Sequence, residues 1–325
     1  MSESPRRKIA ELQSAERIDQ VFLISQPQLR TTTRGDYYIA AYLSDSTGKV
    51  NGRMWQASEA IFQSLPQEGF VQVKGRTENY QGSLQMVIEA LRPLDPSEVD
   101  LEEFLPVTTK DITDMFARFQ KETAKIKNPH LSRLTKLFLA DDELMDQFQK
   151  APAAMGLHHA YIGGLLEHTL SLMELAARIE DHYPDLDWDL IRAALFLHDI
   201  GKTSELKYDI SFQYTDEGRL VGHLVKGVIL IDQKIDQLHA AGAEAFPDQL
   251  RDGLMHIILS HHGAREYGCP VLPATPEAFA VHHLDNLDSK IALTLSEIEK
   301  DPNPGNWTNY IKALEAPLFK VRPKK

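Results

Sequence analysis

Around Leu94-Asp95-Pro96 the hydrophobic pattern changes period, so one repetitive core cannot serve both sides of that point. Before it, from Val21 to about Leu91, apolar residues come in short strand-like runs: Tyr38-Ile39-Ala40-Ala41-Tyr42-Leu43, Phe70-Val71-Gln72-Val73 and Leu84-Gln85-Met86-Val87-Ile88. Asp45-Ser46-Thr47-Gly48, Glu68-Gly69 and Tyr80-Gln81-Gly82 separate the runs as turn signals do. Beyond the break the chain reads as helical almost throughout, with helix starts near Ile112 and Leu131. The stretch from Leu94 to Pro106 is acidic and bracketed by proline, the composition of a linker. Two cores are therefore required, and 325 residues with 42% hydrophobic content can fill them. The expected boundaries are 15–95 for the strand-rich domain, 96–110 for the linker and 111–325 for an all-helical domain.

Five strands with a short helix, Ala57 to Ser64, between the third and fourth predict an OB-like β-barrel. In this region Tyr37, Tyr38, Tyr42, Trp55 and Tyr80 are interleaved with Arg30, Arg34, Arg53, Lys74 and Arg76. Bases stack on aromatic faces and phosphates pair with Arg or Lys, so the mixture suits a single-stranded nucleic acid. Arg34, Tyr37, Arg53, Trp55, Lys74, Arg76 and Tyr80 are the expected contacts. Tyr38 and Tyr42 share a face with Ala40, and packing inside the barrel is the competing reading for them. A net charge of -12 argues against a phosphate-rich partner. Residues 1–95, however, hold 11 basic and 11 acidic side chains, so the acidic excess lies wholly in the helical part, where it suits cation binding.

No apolar run approaches the roughly 20 residues that span a bilayer, and charged residues make up 25%, so a soluble protein with no membrane partner is expected. The start, Met1-Ser2-Glu3-Ser4-Pro5-Arg6-Arg7-Lys8, is basic without a following apolar stretch, which makes the cytoplasm the expected compartment. Cys269 is the single cysteine and excludes both an internal disulfide and a multi-cysteine zinc site.

The chemistry gathers in a histidine-rich region from His158 to Asp288. Leu165, His168, Leu172 and Leu175 recur at helical steps, which places His168 on an inward face. The run Leu190 to Leu197 is almost wholly apolar and delivers His198-Asp199, a carboxylate whose burial demands a partner. Imidazole and carboxylate side by side can both reach one divalent cation. Gly201 is expected to end that helix sharply so that Lys202 turns toward the same place. His223 stands at the start of a helix with the stripe Leu224, Val228, Ile231, Ile235 and Leu238. Leu250, Leu254, Ile257, Ile258 and His261 share one helical face, His262-Gly263 follow, and His256 falls off that face as a surface or packing residue. His282 and Asp285 lie on one side of the next helix. Asp288, a turn further, has three readings: an ion pair with Lys290, an ion pair with Arg322, or the orientation of a ligand histidine.

The order His168, His198-Asp199, His261, Asp285 resembles the signature of the HD superfamily of metal-dependent phosphohydrolases. The chain is closer still to the YhaM-type 3′-to-5′ exoribonucleases, which place an OB domain ahead of an HD domain. Gly163-Gly164-Leu165-Leu166-Glu167-His168-Thr169, Leu197-His198-Asp199-Ile200-Gly201-Lys202, Ser260-His261-His262-Gly263 and His282-His283-Leu284-Asp285-Asn286-Leu287-Asp288 carry the resemblance. It implies hydrolysis of single-stranded RNA from the 3′ end to nucleoside 5′-monophosphates with manganese or a similar divalent metal. Single-stranded DNA is a further candidate substrate.

On this reading His168, His198, Asp199 and Asp285 supply one metal's shell, while His223, His261 and His262 bind a second ion with Asp199 bridging. Asp199 and Lys202 are the catalytic candidates, and Asp288 stands behind the ligands. Iron, cobalt, zinc and magnesium are alternatives to manganese, and one or two ions are both open. Two rival functions remain: a nucleotide or cyclic-dinucleotide phosphohydrolase, and a non-catalytic single-strand binding protein. The apolar helix faces leave room for a homo-oligomer.

Overall fold

The computed structural model describes the chain except for residues 1–5, 81, 101–102, 155–159, 208–212, 302 and 322–325. Gln81 of the expected third turn, His158 at the head of the histidine-rich region and Arg322, one candidate partner of Asp288, lie outside the described residues. Two compact units result, one of residues 1–107 and 207–212, the other of 108–206 and 213–325.

The first unit is a closed five-stranded barrel: β1 (Arg17–Thr31), β2 (Tyr37–Asp45), β3 (Gly48–Trp55), β4 (Glu68–Tyr80) and β5 (Ser83–Leu94), in the order β1-β2-β3-β5-β4. All pairings are antiparallel except β3 with β5, which run parallel at Asn51↔Gln85, Gly52↔Met86 and Arg53↔Val87. The long first strand serves two neighbours because it is bent. Its register with β2 shifts between Ser25 and Gln28, where Gln26 has φ +52 and Pro27 cannot donate to a ladder, a composition that marks a bulge. Arg17–Ser25 then pair with β4, and Leu23–Thr31 pair with β2.

Phe22, Ile24, Ile39, Leu43, Val50, Met54, Val71, Val73, Met86 and Ile88 fill the barrel. A short helix, α1 (Glu59–Ser64), capped by Ser58, packs Ile61 and Phe62 against that core. Along β2 the buried residues are Ile39, Ala41, Leu43 and, at its end, Asp45. Tyr38 and Tyr42 therefore face outward, which corrects the inward reading that Ala40 invited. The alternation is set by the aliphatic members of the run, whose burial needs no polar partner.

The second unit is helical: α2 (Ile112–Thr123), α3 (Pro129–Leu139), α4 (Asp142–Lys150), α5 (Gly164–Ile179), α6 (Trp188–Leu197), α7 (Lys202–Glu205), α8 (Asp216–Leu220), α9 (His223–Ala240), α10 (Asp248–Ser260) and α11 (Pro276–Lys300). Side-chain caps start most of them, with Asp111, Asn128, Asp141, Asp187, Thr215 and Thr275 each accepting from a backbone N–H of the first turn. Helix α6 is the axis of this unit. It packs against α2, α3, α5, α10 and α11, and Ile191 through Leu197 are all buried. Phe196 meets the rings of Phe119, Phe138 and Phe148 at centroid distances of 4.8, 6.0 and 5.9 Å. After α11 the chain folds back on itself, bridging Trp307 to Phe319 and Ile311 to Ala316. Among the described residues no helix is long and apolar enough to cross a membrane.

Candidate metal centre and candidate nucleic-acid interface

The apolar α6 ends by carrying His198 and Asp199 into the interior, with 0% and 3% of their surfaces exposed. Helix α5 brings His168, 1% exposed, and its first turn is fixed by Glu167, which accepts from Thr108 Oγ1 at 2.5 Å and pairs with Lys110 Nζ at 2.9 Å. Helix α10 ends at His261 and His262, α9 begins at His223, and α11 supplies Asp285 and Asp288.

These side chains form two clusters whose potential ligand atoms lie within 4.8 Å of one another: His168, His198 and Asp285 in the first, Asp199, His223, His261 and His262 in the second. Asp199 stands between them. Its Oδ2 is 3.3 Å from His198 Nε2 and 2.7 Å from Lys202 Nζ, and its Oδ1 is 3.5 Å from His223 Nε2 and 3.7 Å from His261 Nε2.

The backbone and second carboxylates decide which ring nitrogen faces inward. His198 Nδ1 donates to Leu195 O, His261 Nδ1 to Ile258 O and His262 Nδ1 to Tyr267 O, each at 2.8 Å. His168 Nδ1 lies 2.8 Å from Asp288 Oδ2, and His223 Nδ1 lies 2.9 Å from Glu205 Oε1. With the proton committed to Nδ1, the Nε2 atoms of His198, His223, His261 and His262 present lone pairs to the centre, the form a metal requires, whereas His168 Nε2 lies 3.1 Å from Asp285 Oδ1. Asp288 thus braces a histidine, and Ser171 Oγ donates to its other oxygen at 2.5 Å.

The set fits a divalent cation. Among the described residues His198 Nε2, Asp199 Oδ1 and His261 Nε2 are buried with no hydrogen-bond partner, and His223 Nε2 and His262 Nε2 face each other at 3.3 Å. Each orphaned buried polar atom costs about 1–3 kcal/mol, and facing lone pairs repel unless a proton or cation lies between them. Five borderline imidazoles with two hard carboxylates are better matched to manganese, iron, cobalt or zinc than to calcium.

Protonation follows the same geometry. Burial pushes His168 down, but its hydrogen bonds to Asp285 and Asp288 win and raise it to about 9. Burial would raise Asp285 and Asp199; His168 holds the first below the usual carboxylate range, and Lys202 with His198 holds the second well below it. Burial lowers His261, and burial with the neighbouring His261 and His223 lowers His262 to about 3.

In the metal-free protein His168 is therefore protonated at neutral pH, and a cation at the first cluster must displace that proton. Metal binding there is expected to release about one proton, with affinity rising about tenfold per pH unit until the pH passes about 9. Calorimetric titration in two buffers of different ionisation enthalpy measures this, and release that persists in His168→Gln would assign the proton elsewhere.

Gly201 proves to matter for a reason other than the expected one. Its φ is -64, and the chain runs on through it into α7; a Cβ there would meet His223 O at 2.2 Å. The glycine lets α9 approach closely and set His223 beside Asp199. Lys202 is turned inward, paired with Asp199. At Gly263, with φ +78, the ring of His282 fills the place of a side chain, and His282 Nδ1 donates to His261 O at 2.8 Å. His256 lies apart from both clusters, its Nε2 accepting the Ala274 N–H at 2.9 Å. His256→Ala is expected to keep full metal content and lose about 1 kcal/mol of stability, readable by elemental analysis and denaturant melts.

On the barrel, Tyr38 and Trp55 are paired across β2 and β3 with ring centroids 5.0 Å apart. The Arg53 guanidinium lies 5.7 Å from the Trp55 ring and 5.3 Å from the Tyr80 ring, and Lys49 Nζ lies 3.7 Å from the Tyr42 ring. Beside them a groove is lined by Gln28, Arg30, Tyr42, Asn51 and Arg53. Arg53, Trp55 and Tyr80 thus converge, joined by Tyr38, Tyr42 and Lys49, which the expected contacts omitted. Tyr37 and Arg34 are exposed at the turn between β1 and β2. Lys74 and Arg76 are instead occupied by Asp19 at 3.1 Å and Glu89 at 3.7 Å.

Comparison with known proteins agrees with this division. Residues 165–290 match the family model of the HD domain, and residues 28–94 match that of the OB-fold nucleic acid binding domain. An HD domain indicates a metal-dependent phosphohydrolase. Among solved structures, the second OB-fold domain of replication protein A from Methanococcus maripaludis is 16% identical over 27% of this chain and 94% of its own, with a TM-score of 0.23. A replication protein A heterotrimer bound to ssDNA contains a chain 23% identical over 25% of this chain and 62% of its own, with a TM-score of 0.19.

Proposed function

We propose that this protein is a metal-dependent phosphodiesterase that shortens single-stranded RNA from its 3′ end, releasing nucleoside 5′-monophosphates, and that its barrel supplies the grip on the strand. The observation that carries the hydrolytic part is the set of inward lone pairs on His198, His261, His223 and His262 around the Asp199 carboxylate. The nucleic-acid part rests on the Tyr38, Trp55, Arg53 and Tyr80 array. The 3′-to-5′ direction rests on the resemblance to YhaM-type enzymes.

The two clusters, His168, His198 and Asp285 with Asp199, His223, His261 and His262, would hold divalent cations, which when bound would supply Lewis-acid neutralisation of charge at a phosphoryl group. The remaining work belongs to the chain. His168, His198, Asp199 and His261 are sunk in the core, whereas the side chains of His223, Asp285 and Lys202 retain 13–15% exposure. Substrate must reach the centre from that rim. Lys202 brings a fixed ammonium 2.7 Å from Asp199, where negative charge on phosphoryl oxygens would accumulate. Burial lowers its pKa, but Asp199 outweighs burial and keeps it protonated.

The test is decay of a 5′-labelled oligoribonucleotide with manganese. A ladder shrinking from the 3′ end with mononucleotide products supports the proposal. Activity on mononucleotides or cyclic dinucleotides alone would replace it with the nucleotide phosphohydrolase reading, and metal-free binding without cleavage would leave a single-strand binding protein.

A further inference from the structure

Each cluster contains one imidazole braced by a carboxylate rather than by a backbone carbonyl. In the first it is His168 on Asp288; in the second it is His223 on Glu205. Glu205 is the last residue of α7, six positions after Asp199, and is 8% exposed. Among the described residues the hydrogen bonds of its carboxylate go to His223 alone, from Nδ1 at 2.9 Å and from the backbone N–H at 3.1 Å. One oxygen, Oε1, thus holds both the ring and the first residue of α9.

Ring orientation at His223 has an unusual consequence here. Its Nε2 lies 3.3 Å from His262 Nε2 and 3.5 Å from Asp199 Oδ1. Rotation about the side chain, or a switch of the proton to Nε2, would place an N–H where the second cluster needs a lone pair. A carboxylate on Nδ1 opposes both changes and makes the imidazole a stronger donor.

We propose that Glu205 is the positioning residue of the second cluster, setting the affinity of Asp199, His223, His261 and His262 for a divalent cation without touching the first cluster. The inference rests on the metal reading above and is independent of whether the substrate is RNA.

Cobalt titration of the full-length protein tests it, with bound ions counted by elemental analysis and followed by visible absorption. Wild-type protein is expected to load two ions. Glu205→Ala is expected to keep the first and bind the second about 10–100-fold more weakly, with loss of one component of the cobalt spectrum. Glu205→Gln can still accept from Nδ1–H but carries no charge, so its second-site affinity should fall between the two. A purely structural role predicts a different pattern, in which the melting temperature drops and both ions weaken together. That pattern, equal loading of wild type and Glu205→Ala, or a wild type that takes one ion only, would overturn the proposal. Should Glu205→Ala fail to fold, Glu205→Gln decides alone: a weaker second ion at unchanged melting temperature supports it, and wild-type affinity refutes it. No RNA is used, so failure of the nuclease reading would leave the ion count unaltered.

Discussion

Replacing Asp199 by Asn is expected to lower hydrolysis at least about a thousandfold, equivalent to about 4 kcal/mol of lost transition-state stabilisation. Asp199 turns Oδ2 toward His198 of the first cluster and Oδ1 toward His223 and His261 of the second, so its loss weakens two sets of ligands together. Asn is the better probe than Ala. Lys202 Nζ is paired with Asp199 Oδ2, and Ala would leave that ammonium without its partner, which in a buried pair costs about 3–5 kcal/mol and confuses folding with chemistry. Asn keeps the shape and a carbonyl oxygen for Lys202. Metal content should fall in step with activity. Full activity at normal metal content would remove Asp199 from the centre altogether.

A double replacement, Trp55→Ala with Tyr80→Ala, is expected to weaken binding of a long single strand by about thirtyfold or more. Each base stack contributes about 1–3 kcal/mol, and both rings flank Arg53, whose guanidinium would lose the faces it rests on. The loss should appear as a raised KM on long oligonucleotides, with kcat nearly unchanged and hydrolysis of bis-nitrophenyl phosphate intact, because every candidate metal ligand lies between His168 and Asp285. Lys74→Ala and Arg76→Ala should do less, since each side chain already has an acidic neighbour. If the double variant binds a long strand as tightly as wild type, the array is packing and the grip lies elsewhere.

The two-core division, the five strands and the helical character of the rest were legible because period-2 and period-3.6 patterns depend only on which positions are buried. Four of the seven residues of the two clusters, His168, His198, Asp199 and His261, were legible for a related reason, whereas His223, His262 and Asp285 were placed by helix position and adjacency. His198 and Asp199 end an apolar helix, and His168 and His261 interrupt apolar faces, so a polar group stands where only a partner can justify it. Two kinds of feature were not. Tyr38 and Tyr42 required knowing the phase of β2, and with Ala40 and Ala41 adjacent the run fits both phases until Ile39 and Leu43 are seen to face inward. Glu205 required a contact across 18 residues, and a glutamate ending a short helix reads as solvated. The regular step from Asp199 to Lys202 to Glu205 was the available signal. Gly201 illustrates a subtler limit: its necessity was visible, but the atom that imposes it, His223 O, belongs to another helix.

The placement of His198 and Asp199 at the end of α6 also ties catalysis to heat in a particular way. Sub-global opening begins in weakly packed segments and reaches a central helix last. A centre hung from the best-packed helix of its unit should survive such partial openings. Activity on a small model ester should then persist up to the temperature at which the helical unit melts as a whole, and collapse with it in a single step. A core change such as Phe196→Leu, far from any ligand in chemistry though adjacent in packing, should shift that collapse downward without altering the rate measured in the cold.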